Sequence, residues 1–126
     1  MVFISVWSTG HVPVTHVSSA STRLDVSLDG VSIARTKAKA LRRGVEPRLQ
    51  LGWDEIAGAE IHRTAQGRAV IRVLRVGTPS VAHHRDDPYA VKVPRPQTAA
   101  AHELVDQINH EVATRRRWRE ESQREG

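Results

Sequence analysis

Strict alternation over Leu24–Ile33 constrains this chain more than any other feature. Leu24, Val26 and Leu28 are separated by Asp25 and Ser27, and beyond Asp29-Gly30 the pattern resumes at Val31 and Ile33. Apolar residues two apart share one face of an extended strand, so this period marks two half-buried strands. Asp29-Gly30 supplies two residues suited to positive φ, as a tight hairpin turn requires. Such a hairpin has one apolar face and needs a second layer to cover it.

Further extended segments follow. Leu49 and Leu51 begin a strand leading to Gly52 and Trp53, Asp54-Glu55 reads as a turn, and Ile56, Ala59 and Ile61 enter the next strand. Gln66-Gly67 is a second hairpin turn, and Val70 to Val76 is strongly β-prone. Arg72 and Arg75 interrupt its alternation, which a bulge in that segment would reconcile. Val81-Ala82 reads as a short strand and Tyr89–Val93 as the last one. Residues 1–22 form either an N-terminal strand, from the apolar residues 2–7 and from Val12 and Val14, or a flexible arm.

From Thr98 the period changes. Ala101, Leu104, Val105, Ile108 and Val112 fall at helical spacing on one face, with Thr98 placed to cap the helix by accepting a backbone N–H. Glu111 and Arg115 stand four apart in the favourable order. The expectation is a helix over about 98–114, fraying in a charged tail over 115–126.

A chain of 126 residues without cysteine folds as one domain with no disulfide or thiolate metal site to support it. No apolar run approaches the roughly 20 residues of a membrane span, and the N-terminus lacks the positive start of a signal peptide. The expected location is cytoplasmic, peripheral at a membrane if anywhere near one. The net charge is +5. Six cations (Arg35, Lys37, Lys39, Arg42, Arg43 and Arg48) against Glu46 alone give a surplus of five within one stretch, which reads as a mobile loop broken by Gly44 and Pro47. A second basic cluster, Arg115, Arg116, Arg117 and Arg119 around Trp118, lies in the tail. Both favour polyanions.

Antiparallel strands followed by one amphipathic helix bury a core if the helix covers a sheet that curls on itself. The order Leu28-Asp29-Gly30-Val31, then Leu51-Gly52-Trp53-Asp54-Glu55-Ile56, then the helix bearing Leu104, Val105 and Ile108 resembles the bacterial pleckstrin-homology-like domains. The resemblance covers roughly residues 23–112. It implies a mainly β, α+β fold: a curled antiparallel sheet or barrel over 23–93, capped by the helix, in a domain spanning 23–114. Trp53 and Ile56 are expected in the core with Leu104, Val105 and Ile108, and Asp54 and Glu55 in solvent.

Catalytic patterns are weak here. There is no Gly-x-Ser-x-Gly elbow, no His-Glu-x-x-His helix and no Gly-rich phosphate loop. His83, His84, Asp86 and Asp87 are metal-capable, but neighbours along an extended chain point apart and no third spacing completes a site. No cofactor is expected. The expected function is therefore a non-catalytic interaction module for a protein partner, its own copies or an anionic membrane surface. The alternative is nucleic-acid binding through the basic segment 35–48 and the Arg115–Arg119 tail, with Trp118 stacking on a base.

Overall fold

The computed structural model describes residues 14–78 and 86–125. The strands expected in residues 2–7 and at Val81-Ala82 lie outside these, as do Val12, His83 and His84. Among the described residues seven strands form two antiparallel sheets, followed by one long helix. The fold is thus α+β, mainly β, with a C-terminal helix.

The first sheet has four strands in sequence order: β1 (His16–Ser18), β2 (Thr22–Ser27), β3 (Gly30–Arg35) and β4 (Arg48–Gly52). The hairpin joining β2 to β3 pairs Ser27 with Gly30, so its two loop residues are Leu28 and Asp29, one position earlier than expected. Gly30 instead opens β3. A Cβ built there falls 1.9 Å from the carbonyl oxygen of Leu51 on β4, and φ is +141°. The glycine is needed for close strand approach across the sheet.

Between β3 and β4 the segment expected as a loop contains a helix, α1 (Lys37–Arg43). Thr36 caps it by accepting the N–H of Lys39, and Gly44 terminates it in the left-handed conformation with φ 65°. The glycine that argued against a helix is its C-cap.

Trp53–Glu55 makes one 3₁₀ turn from β4 into the second sheet, where β5 (Ile56–Arg63), β6 (Ala69–Arg75) and β7 (Ala90–Lys92) pair in order. The bulge lies in β5, between Ile56 and Gly58, and not in β6. In β6, Arg72 is buried and satisfied by Asp87, Nε to Oδ2 at 3.2 Å, and Arg75 lies over the Tyr89 ring. An ion pair and a ring contact, not a shift of register, accommodate the two arginines.

The helix α2 runs from Thr98 to Glu125, far past the expected end near residue 114. Thr98 does not cap it as expected. A 3₁₀ turn over Arg95–Gln97 precedes it, and the Thr98 hydroxyl donates back to the Arg95 carbonyl. One continuous core receives Leu24, Val31 and Ile33 from the first sheet, Ile56, Ile71 and Val91 from the second, and Leu104, Val105 and Ile108 from α2. Trp53 joins it at 5% exposure, with Nε1 donating to the carbonyls of Ser27 and Leu28.

Polar side chains of α2 and of the turn before it also bind strand backbone. Gln97 accepts from the N–H of Ser18 and donates to its carbonyl. Glu103 and Gln107 do the same jointly for Val14, and Asn109 does so for Ala59 of β5. Side-chain amides and a carboxylate thus satisfy backbone groups at the margins of both sheets that no neighbouring strand reaches.

Candidate anion-binding cleft

The first basic stretch does not remain together. Arg35, expected on the contact surface, ends β3 with its side chain turned inward at 6% exposure. One of its nitrogens, Nη2, donates to the carbonyls of Pro88 and Ala90, while Nε and Nη1 have no partner. The reason lies in the register: Arg35 is the strand partner of Thr22 and follows Val31 and Ile33 on the inward face. Lys37 and Arg48 are exposed and lie outside the cleft described next.

Lys39, Arg42 and Arg43, one face of α1, line a cleft of about 690 Å³. Arg68, at the end of the β5–β6 loop, and Lys92 of β7 complete its cationic wall. Ser19 and Ser21 of the β1–β2 turn, and Thr22 at the start of β2, also line it. No carboxylate lines the cleft among the described residues. Arg43 is anchored by bonds to the carbonyls of Ala90 and Asp87, and Arg68 by bonds to that of Val93. Lys39, Arg42 and Lys92 form no ion pair among the described residues.

The charge is felt within the cleft. The Lys39 ammonium is held below the usual lysine range, first by partial burial and then by repulsion from Arg42, Arg43, Lys92 and Arg35. Arg35 is pushed down to about 10, mainly by burial and next by Arg43, against a smaller opposing pull from Asp87. Asp87, one of the metal-capable residues of segment 83–87, is occupied: Oδ2 accepts from Arg72 and Oδ1 from the N–H of Tyr89. Asp86 is exposed, and among the described residues no three metal-capable side chains converge.

The second basic cluster lies at the other end of the molecule. Gln97, clasping Ser18 beside the cleft, precedes α2, whereas Arg115 reaches Leu28 in the β2–β3 turn and Arg119 reaches Asp54. The 18 residues from 97 to 115 span about 27 Å at helical rise. Arg115 is half-buried, pairing with Glu111 at 2.7 Å and lying over Trp53, whereas Arg116, Arg117, Trp118 and Arg119 are exposed. The basic segment and the tail therefore do not share a surface.

Arg68, Lys92 and the hydroxyl turn were not readable as site residues. Each is an ordinary polar residue in its own segment, and only sheet register and the position of α1 bring them to the same cleft. Comparison with protein-family models, curated proteins and solved structures gives no match for this chain.

Proposed function

We propose that this chain is a non-catalytic, pleckstrin-homology-like interaction module that docks on an anionic membrane surface through its cleft end. Four strands, then three, then one C-terminal helix, with Trp53 and Ile56 buried at the corner between sheets, support the kinship. One observation carries the ligand class: five cations line one concave surface without a described carboxylate among them. Fixed positive charge of this density attracts anionic headgroups, at roughly 1 kcal/mol per Lys or Arg near such a surface. The two lysines of this wall suit a lipid surface better than the core of a protein interface, which is depleted in lysine although enriched in arginine. Among the described residues no helix is long and apolar enough to cross a membrane, so contact would be peripheral.

Co-sedimentation tests this reading. The chain is expected to pellet with phosphatidylglycerol vesicles and not with phosphatidylcholine vesicles, less so as salt rises. Replacing Lys39, Arg42 and Lys92 together by Ala is expected to abolish pelleting. Equal pelleting with neutral vesicles, or no effect of the triple variant, overturns it.

A further inference from the structure

The cleft holds more charge in less space than a plane of singly charged lipids calls for. Its volume falls within the roughly 300–1,000 Å³ range of small-ligand sites, and five cations surround it. Beneath its floor sits a sixth. Arg35 donates to the same Ala90 carbonyl as Arg43, and Ala90 lines the cleft. Arg35 is 6% exposed and keeps two N–H-bearing nitrogens unpartnered. A buried guanidinium in that state is costly unless the local field is compensated. Asp87 compensates part of it, but its oxygens already serve Arg72 and Tyr89.

A ligand that balances this arrangement brings at least two negative charges close together and accepts hydrogen bonds in several directions. Phosphodiester headgroups carry one charge each. A phosphomonoester or a pyrophosphate carries about two or more at neutral pH. Ser19, Ser21 and Thr22 also line the cleft, and hydroxyls can donate to further phosphoryl oxygens.

We infer that the cleft is a site for a compact phosphomonoester or pyrophosphate group, gripped by Lys39, Arg42 and Lys92 against the anchored Arg43 and Arg68. The inference rests on the reading of this end as an anion-binding surface and specifies the ligand's chemistry. Lys39, Arg42 and Lys92 close on the phosphoryl oxygens. Arg43 and Arg68, held by backbone carbonyls, keep the floor and side wall in place.

The test is a calorimetric titration of pyrophosphate into the full chain at low salt. One saturable site is expected, weakened about tenfold or more by Lys39→Ala or by Lys92→Ala and unchanged by Arg116→Ala at the opposite end. Lys92 is exposed and Lys39 partly buried, and far-UV circular dichroism checks that the variants fold. No saturable binding, or wild-type affinity in the two lysine variants, overturns the inference. Vesicles then identify the source of the phosphate. Pelleting with phosphatidic acid in preference to phosphatidylglycerol, reversed by pyrophosphate, identifies a lipid headgroup and supports the inference. Pyrophosphate binding without pelleting on either vesicle supports a soluble ligand and sinks only the membrane reading. Pelleting on phosphatidylglycerol that pyrophosphate does not reverse leaves the membrane reading standing and overturns the compact site.

Discussion

Asn109 of α2 binds both backbone groups of Ala59, accepting from its N–H at 2.9 Å and donating to its carbonyl at 3.0 Å. The side-chain amide takes the place of a neighbouring strand at the margin of β5, beside the Ile56/Gly58 bulge. Asn109→Ala leaves that backbone pair without these partners and is expected to cost about 1–3 kcal/mol in urea unfolding. Asn109→Asp keeps the acceptor but turns the donor into a second acceptor facing the Ala59 carbonyl. It should therefore recover little of the loss. Recovery by Asp to wild-type stability would show that the Nδ2 bond contributes nothing.

Trp53 closes the end of the core distant from the cleft. Trp53→Ala should lose about 3–5 kcal/mol, from the lost apolar burial together with the cavity left behind. Trp53→Phe keeps an aromatic ring beneath Arg115 but deprives the Ser27 and Leu28 carbonyls of a donor, and should lose about 1–2 kcal/mol beyond the change in ring size. Chemical denaturation followed by circular dichroism separates the two. Pyrophosphate affinity in the folded Phe variant should stay at the wild-type value.

Gly30→Ala places a methyl group on the Leu51 carbonyl, and neither backbone can yield without breaking the β3–β4 ladder. The expected loss is about 3 kcal/mol or more, at the upper end for overpacking. Gly44→Ala strains only its positive φ, since nothing lies within 4 Å of its Cβ, and should cost about 1 kcal/mol. Equal thermal shifts for the two variants would contradict this account of Gly30.

Arg35 provides a pH signature. Its folded value, about 10, lies well below the ordinary arginine range, because burial and Arg43 disfavour the charged form. Below about 10 it is charged in both states, and the folded state bears the full penalty. Above about 10, and up to the ordinary arginine range, the folded chain has released a proton that the unfolded chain retains, so this residue's contribution to stability rises with pH. The stability of wild type relative to Arg35→Met should therefore shift in favour of wild type on going from about pH 8 to about pH 11. At about pH 8 the Met variant should lie within about 1–2 kcal/mol of wild type, because an apolar side chain of similar length relieves two unpartnered nitrogens. Its pyrophosphate affinity should fall. A shift of the opposite sign on raising the pH would exclude the penalty.

Much of the architecture is present in local pattern. Alternation through Leu24, Val26, Val31 and Ile33 marks the inward faces of β2 and β3, and the helical spacing of Ala101, Leu104, Val105 and Ile108 marks the buried stripe of α2. Trp53 and Ile56 are buried where their size and position place them. The helix α1 is hidden in the sequence because Gly44 breaks helices and also caps them, and the two roles differ only in whether a helix precedes it. The end of α2 is equally hidden, because a run of charged residues favours solvent without opposing helical geometry. Arg115 is held there by Glu111 and by the Leu28 carbonyl.

By itself the sequence determined the α+β class and most of the apolar residues that lie inside, because burial leaves a period in the chain that backbone geometry fixes. Tertiary structure alone decided where the charges go. It drew Arg35 out of the basic stretch into the interior, sent the two basic clusters to opposite ends, and added Arg68 and Lys92 to Lys39, Arg42 and Arg43. A cation carries no local mark of its distant neighbours. Like charges are held around one cleft by backbone pairing and apolar burial elsewhere, acting against their mutual repulsion, and that balance appears only when the sheets and helix are assembled.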